Sequence, residues 1–539
     1  MNKIDELVEK MTLDELCGQT LCYFVPGAEI DENFEKIVKE TKPGGIFISN
    51  ACADKIKLVT DKVNKYVSIP VIVSADVEKG PGGDVLTDGY PLLPNPIAWG
   101  AADDEKLIEK SGEITAKICK KAGIHWTYSP VVDINYNHNN PVVNVRAVSD
   151  SSDHVIKIAG AYMRGLQKNN YMAACCKHFP GDGLDDRNQH FCTTLNTFSK
   201  EEWMNSYGRV YKSMIDQGVA SIMVAHIAAP AFQEDEYDDV TGYMPGSMSY
   251  SLITKLLREE LGFKGCIVSD ALSMIGVAAC VPENEMIVRF INAGGDMALF
   301  AESSYFYYLK EAVLDGRVSM ERLKDAVRRI LRLKEFAGVF KEETETENEE
   351  NLTEEFNNLA EEIALKSIKF VRNADGILPI KLERGDTVLI CNLTQHNEGS
   401  HITHLDIIEK ELNSRGIKTI SENKIGHKEI KRIYDEHNPK CVLVNIRMSS
   451  DECDGNDIRM SWSHMMCFWR GYIFKNPNVI VTSFGDPYKI YELPFLRTYI
   501  NAFSAVEASQ KAFVKVLLGE VKEQGKNPVK LEGFFEREV

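Results

Sequence analysis

Short apolar runs that alternate with longer segments of helical period constrain the fold of this 539-residue chain more than any other feature. A strand followed by a helix, repeated many times, predicts a parallel α/β domain. The runs that carry the pattern lie at 45–48, 71–73, 124–128, 172–176, 222–225, 267–268 and 297–300. The chain exceeds the size of one ordinary domain, so a second domain is expected.

Polar residues stand at or just after the carboxyl ends of these runs. In a (β/α)8 barrel that rim carries the active site. An open doubly wound sheet also binds ligands there, so the pattern leaves both architectures possible and predicts only where the site lies. The residues concerned are Asp76, Asp133, Lys177, His178, His226 and Asp270.

An acidic segment divides the chain. Residues 341–355 read KEETETENEENLTEE, without apolar periodicity, which is typical of a solvated linker. Further apolar runs follow at 387–392, 441–446, 479–484 and 499–503. We therefore expect a first, catalytic domain at 1–340, an acidic linker at 341–355 and a smaller α/β domain at 356–539.

The charge balance restricts the partners of the protein. A formal net charge of −18 repels nucleic acid and anionic membranes, so neither is expected as a partner. The first residues, MNKIDELVEKMTLDELCGQ, lack the apolar run of a secretory signal, and no later stretch is apolar enough to span a membrane. These features predict a cytoplasmic protein with a neutral small-molecule substrate.

Two segments concentrate chemically useful side chains. Residues 177–190 read KHFPGDGLDDRNQH and contain two histidines, a lysine, an arginine and three aspartates in a loop broken by glycine. Residues 262–272 read GFKGCIVSDAL, in which Asp270 closes an apolar run. Charged loops are often only solvated, but the position of the first segment after an apolar strand favours a functional loop.

Together these segments resemble glycoside hydrolase family 3, and specifically its β-N-acetylglucosaminidase branch, in which a K-H-F-P-G-x-G loop precedes a D-x-H dyad. Further similar stretches are SPVVDIN at 129–135, NPVVNVR at 140–146, AGGD at 293–296 and FGDPY at 484–488. The resemblance covers nearly the whole chain. It implies a (β/α)8 TIM-type barrel followed by a smaller α/β sandwich-like domain.

The resemblance also implies a retaining hydrolysis of β-linked N-acetylglucosamine without metal or cofactor. Asp270 would be the nucleophile that forms a covalent glycosyl-enzyme. His190 would donate the proton to the leaving oxygen and later accept one from water, a task for a group that titrates near neutral pH. The substrate would be a small oligosaccharide or aminosugar glycoside, and the protein a monomer or homodimer.

One residue departs from the family pattern. The dyad aspartate should stand two residues before His190, where this chain has Asn188. A carboxylate would stabilise the imidazolium, whereas an asparagine can only orient the ring through a neutral hydrogen bond. Asp186, or its neighbour Asp185, could supply the missing carboxylate if the loop curls back.

The resemblance further implies hydrogen bonds to the sugar hydroxyls and N-acetyl group from Asp76, Arg146, Lys177 and His178. Lysine and arginine suit this role because each donates several hydrogen bonds. Asp133 and His226 are weaker candidates, since both could instead support the rim. Asp182 stands where many relatives of this branch have a histidine.

Three alternatives remain open from the sequence. A phosphorylase could use the same site, with phosphate as the acceptor. A β-glucosidase or β-xylosidase of the same family would take its acid from a glutamate of the second domain, for which Glu452 is a candidate. A sugar-binding pseudoenzyme would account for Asn188.

Overall fold

A computed structural model describes residues 3–83, 85–239, 242–341, 349–394, 404–422, 426–448, 450 and 458–539. The chain divides into two compact units. The first unit comprises Met1–Leu92, Glu105–Ile134 and Val155–Phe356, and the second comprises Leu93–Asp104, Asn135–His154 and Asn357–Val539. Two segments from the first part of the chain thus belong to the second unit, and the domain ranges expected from the sequence stay a prediction.

Within the described residues, the first unit is built on one sheet of eight parallel strands. Neighbouring strands follow each other in chain order, and a parallel bridge between Val268 and Met297 joins the two ends of the sheet. This closure confirms the predicted (β/α)8 barrel and excludes the alternative of an open sheet. The strands are β1 Leu21–Pro26, β2 Gly45–Ser49, β3 Ile72–Ala75, β4 Trp126–Thr127, β5 Ala173–Phe179, β6 Ser221–Val224, β7 Cys266–Ser269 and β8 Ala298–Leu299.

Large apolar side chains fill the barrel. Four of the strands, β2, β3, β6 and β7, are buried along their length except at Ser49, which explains why they read as continuous apolar runs. A cluster of buried side chains, among them Phe47, Trp126, Tyr128 and Met223, forms the core of this unit. Because this filled core leaves only the strand ends open, the rim is where polar side chains can meet a substrate.

The α-helices of the first part of the chain have ends that the sequence specifies. Thr12 and Ser199 each form a capping box with a glutamate three residues on, and Gly294 ends a helix with φ of 111°. The helices are Lys3–Lys10, Leu13–Gln19, Glu32–Thr41, Ala53–Asn64, Pro96–Ala102, Glu105–Lys121, Ser152–Gln167, Lys200–Asn205, Tyr207–Asp216, Ile275–Ala278, Glu283–Ala293, Ser304–Leu314 and Met320–Phe336, with a π-helical segment at Ser251–Glu260.

The second unit contains a separate sheet of six strands. The strands are β9 Lys369–Asn373, β10 Thr387–Thr394, β11 Lys418–Glu422, β12 Cys441–Arg447, β13 Val479–Ser483 and β14 Thr498–Asn501. Their order across the sheet is β9-β14-β13-β12-β10-β11, and among the described strands of this sheet only the pairing of β9 with β14 is antiparallel. Buried apolar clusters cover both faces, which confirms the predicted α/β sandwich-like domain.

The helices of the later part of the chain begin inside the segment expected to be a linker. Residues 342–348 lie outside the described part, but a helix starts at Glu349 because apolar residues recur at helical spacing from Leu352 to Phe356 and Leu359. None of the described helices is both long and apolar enough to span a membrane. The helices are Glu349–Ser367, Asp406–Ser414, His427–His437, Trp462–Met465, Lys489–Glu492 and Glu507–Leu517.

Candidate active site

Asp270 lies on the rim of the barrel directly after β7. Its backbone N–H donates to the carbonyl of Val224, the last residue of β6, at 2.9 Å. Its carboxylate Oδ1 accepts a hydrogen bond from the N–H of Ala271 at 2.8 Å. The backbone of Asp270 is therefore tied to the ends of two neighbouring strands, its side chain is held by the next residue, and part of its surface stays accessible.

Three histidines interact electrostatically with the carboxylate of Asp270. Burial by itself would raise the pKa of Asp270, but the electrostatic interactions with His178, His226 and His190, together with the hydrogen bond from the Ala271 N–H, outweigh burial and hold the pKa below its ordinary value. Asp270 is thus ionised at neutral pH. An ionised, partly buried carboxylate at the rim is the form in which such a group can act as a nucleophile.

Lys177 lies near the end of β5 and contacts two carboxylates. Its Nζ is 2.6 Å from Asp76 Oδ1 and 2.7 Å from Glu78 Oε1. The ammonium group is buried and Asp76 is half exposed, so the pair lines the surface of the rim rather than its core. Sequence reasoning missed Glu78 as a site residue, because it lies in a turn after β3 whose geometry the local pattern does not specify.

His178 forms a buried pair with Asp133. The His178 Nδ1 is 2.7 Å from Asp133 Oδ2, and Asp133 Oδ1 accepts from the backbone N–H groups of His178 and Asp182 at 3.1 and 2.8 Å. A carboxylate of this kind accepts hydrogen bonds, so Nδ1 carries the hydrogen. Asp133 therefore fixes the ring of His178 and the start of the following loop together.

Glycines shape the loop that follows β5. Gly181 and Gly183 have φ of 117° and 110°, and a Cβ on Gly183 would lie 2.0 Å from the carbonyl oxygen of Ile134. Between them, the carbonyl of Asp182 accepts from the hydroxyl of Tyr207 at 2.6 Å. Only glycine fits at these two positions, and the loop is held close to the barrel.

His190 is exposed on the same loop, and Asn188 holds it. Asn188 Oδ1 accepts from the backbone N–H of His190 at 2.9 Å and lies 2.6 Å from its Nδ1. The backbone contact identifies this atom as the amide oxygen, so Nδ1 is the nitrogen that carries hydrogen. In the neutral ring Nε2 is then without hydrogen, and it is the nitrogen that gains a proton when the imidazolium forms and loses it again afterwards.

The neighbouring aspartates have other partners or face solvent. Asp185 accepts from the Arg187 guanidinium at 2.6 Å and from the N–H of Leu195 at 2.9 Å. Burial would raise the pKa of Asp185, but the bonds from Arg187 and Leu195 hold it below its ordinary value. Asp186 is exposed. The group beside the His190 ring at the dyad position is therefore the neutral amide of Asn188.

The remaining predicted residues have different surroundings. His226 is fully buried beside Asp270, with a protein atom close to each ring nitrogen. Arg146 belongs to the second unit, where its guanidinium donates to the carbonyl of Val142 at 3.4 Å. Glu452 lies outside the described residues. The roles assigned to Arg146 and Glu452 stay predictions.

The first unit thus brings together a carboxylate, a histidine with a defined proton site and a set of fixed hydrogen-bonding groups. A carboxylate can form a covalent bond with a sugar carbon, and an imidazole can transfer a proton. In the described part of the chain, no group of three or more His, Cys, Asp or Glu side chains is arranged to hold a metal ion. The chemistry that these residues support is acid-base catalysis combined with a nucleophile.

Known enzymes that act on glycosides are similar in sequence to this chain. Residues 3–333 match the family model described as the glycosyl hydrolase family 3 N terminal domain. A β-N-acetylglucosaminidase/β-glucosidase of Cellulomonas fimi is 28% identical over 537 residues, which cover 96% of this chain and 94% of that protein. A β-hexosaminidase of Methylobacillus flagellatus is 27% identical over 286 residues, 51% of this chain and 78% of that protein.

A solved structure is similar over the whole length. It is a β-glucoside phosphorylase, BglX, bound to 2FGlc, with 27% sequence identity and a TM-score of 0.87. The similarity covers 98% of this chain and 97% of that chain. Proteins similar to this chain therefore include both hydrolases and a phosphorylase.

Proposed function

Because this chain belongs to glycosyl hydrolase family 3, as its motifs predicted, we propose that it cleaves terminal β-linked N-acetylglucosamine with net retention of configuration. The observation that carries the proposal is the ionised carboxylate of Asp270 at the end of β7, surrounded by His178, His190 and His226. The sugar class is supported by the relatives named for N-acetylglucosaminidase and hexosaminidase activity.

In the first step, Asp270 attacks the anomeric carbon and the bond to the leaving oxygen breaks. The Nε2–H of protonated His190 gives its proton to that oxygen, so the leaving group departs as a neutral alcohol. In the second step, neutral His190 takes a proton from water at Nε2, and the resulting hydroxide attacks the same carbon and releases Asp270. Two inversions at one carbon give net retention.

The rim residues would hold the sugar. Lys177 is fixed by Asp76 and Glu78, and its ammonium can donate a further hydrogen bond to a neutral hydroxyl. The exposed carboxylate of Asp76 can accept from a second hydroxyl. Asp133 orients the ring of His178 through Nδ1, and the Nε2 side of that ring would make the polar contact with substrate. These side chains are all fixed before substrate binds, which favours catalysis.

A panel of aryl β-glycosides tests the proposal. We expect release of nitrophenol from the N-acetylglucosamine glycoside to exceed release from the glucose and xylose glycosides. We expect NMR to show the β-anomer as the first product. A mechanism-based fluorinated glycosyl fluoride should label Asp270, as mass spectrometry of peptides will show. Binding of N-acetylglucosamine without turnover between pH 5 and 8 would instead indicate a pseudoenzyme.

Phosphorolysis is a second candidate, favoured by the neutral amide at Asn188. With an imidazole and an amide in place of a second carboxylate, the site carries less negative charge to repel an incoming phosphate. The similarity to the solved structure of a β-glucoside phosphorylase also supports phosphorolysis as a candidate reaction. Turnover with and without inorganic phosphate separates the two reactions, because only phosphorolysis yields the sugar 1-phosphate.

A further inference from the structure

His226 lies next to the proposed nucleophile but has no solvent exposure. It follows β6 by two residues, and its Nε2 is 3.0 Å from the carbonyl oxygen of Ala271. Its Nδ1 is 2.8 Å from the hydroxyl of Ser247. Both ring nitrogens therefore face protein atoms, an arrangement suited to supporting the site from behind rather than to touching a sugar.

The partners of His226 determine its protonation. A carbonyl oxygen only accepts, so Nε2 must carry hydrogen and donate to Ala271. A serine hydroxyl can donate to a bare Nδ1, which makes the neutral ring fully satisfied. Burial lowers the pKa of His226, and the negative charge of Asp270 offsets only part of that effect. The ring is thus neutral, with one defined tautomer.

Ala271 links this ring to the nucleophile. Its N–H donates to Asp270 Oδ1 at 2.8 Å, and its carbonyl accepts from His226 Nε2 and from the N–H of Met274 at 3.0 Å. Both peptide groups of this residue are therefore fixed. If the carbonyl contact with His226 were lost, the N–H of Met274 would be left to hold the carbonyl, and the N–H of Ala271 could turn away from the carboxylate.

We propose that His226 is a positioning residue, which orients the Asp270 carboxylate for attack by holding the carbonyl of Ala271. The inference rests on the proposed function, in which Asp270 is the nucleophile. The sequence alone left open whether His226 contacts the substrate or supports the rim, and the proposed role is the second of these.

The loop that carries Ser247 is itself anchored. Glu236 accepts from the Ser249 hydroxyl and, at 2.9 Å, from the N–H of Ser251. Gly246 lets the loop approach the chain after β6, because a Cβ there would lie 2.4 Å from the carbonyl oxygen of Ile227. Ser247 is consequently held against the ring, and the ring against Ala271.

Two amide substitutions separate the two contacts of the ring. In His226→Gln the side-chain amide reaches the position of Nε2 and can still donate to Ala271. In His226→Asn the amide reaches only the position of Nδ1 and can still contact Ser247. The two variants have the same chemistry and polarity, so they form a matched pair that differs in the contact retained.

The measurement is the rate constant with which a fluorinated glycosyl fluoride labels Asp270, together with kcat and KM. A displacement of a reacting group by about 1 Å can cost roughly 100-fold in rate. We expect His226→Asn to slow labelling and kcat by about 10- to 100-fold at nearly unchanged KM, and His226→Gln to stay within about threefold of the wild type.

The outcomes are distinguishable. Equal labelling rates in the two variants, or a slower rate in His226→Gln than in His226→Asn, would overturn the positioning role while leaving the proposed function intact. A wild-type protein in which Asp270 is not labelled would overturn the proposed function and the inference with it. Should His226→Asn fail to fold, His226→Ala, which removes the contact with Ala271, is compared with His226→Gln: slower labelling at nearly unchanged KM in His226→Ala supports the role, and an unchanged rate refutes it.

Discussion

Replacing Asn188 by aspartate should restore the carboxylate that the family pattern places beside His190. The native amide oxygen lies 2.6 Å from Nδ1 and also accepts from the backbone of His190. Aspartate has the same shape and keeps an oxygen in that position. The substitution Asn188→Asp therefore adds one negative charge next to the imidazole with little change in geometry.

The expected size of the pKa shift of His190 follows from the distance between the two charges. Two unit charges about 4 Å apart interact by about 1 kcal/mol in water and by about 4 kcal/mol at the effective dielectric constant of a protein surface. His190 is exposed, so the lower part of that range applies. Since one pH unit corresponds to about 1.4 kcal/mol, a shift of about one unit is expected. The charge favours the imidazolium, so the acid form persists to higher pH.

The assay is the pH dependence of kcat/KM for an aryl glycoside whose leaving group needs protonation. The alkaline limb should move up by about one unit in Asn188→Asp. Asp186→Asn is the matched control, because it changes a charge on the same loop at an exposed position. An alkaline limb that stays in place or moves down in Asn188→Asp would refute the assignment of His190 as the acid.

Three further predictions concern the acid, a buried ion pair and the loop. His190→Ala should lower kcat/KM by about 100- to 10,000-fold for a poor leaving group and much less for a dinitrophenyl leaving group, as steady-state kinetics will show. Asp296→Asn, which leaves buried Arg258 without its carboxylate at 2.5 Å, should cost about 3–5 kcal/mol in urea unfolding. Burial would raise the pKa of Asp296, but the three guanidiniums of Arg258, Arg322 and Arg329 outweigh it and hold the pKa below its ordinary value. The ionised Asp296 therefore stabilises the fold above roughly pH 4, and this stabilisation is lost as the pH falls through the lowered pKa. Gly183→Ala should lower both activity and stability, because its Cβ meets the Ile134 carbonyl, whereas Gly218→Ala, with φ of 84° and open space, should change stability alone.

The strand ends could be predicted from the sequence because they depend on local pattern. Asp270, Lys177 and His178 follow or close apolar runs, and all strand ends of a parallel barrel meet at one rim. The effect of Asn188 could also be foreseen, since an amide in hydrogen-bond contact with a ring can only orient it. These inferences need no knowledge of distant contacts.

Other parts of the site depend on which way a side chain turns, and this is set by tertiary contacts. Ser247 reaches His226 from 21 residues further along the chain, and nothing in the local pattern indicates that approach. Asp185 could have faced His190, but the nearby guanidinium of Arg187 binds it instead. Glu78 lies in a glycine-dense segment, where the geometry of the loop decides its contact with Lys177.

The contact between Asn188 and His190 lies within one loop. The ring and its orienting amide are two residues apart, whereas Asp270 is tied to the ends of two strands. Under the proposed function, substitutions at a few consecutive residues of this loop would change proton transfer by His190 without altering the barrel strands that hold Asp270. A change of acceptor between water and phosphate would then require only local changes in this loop.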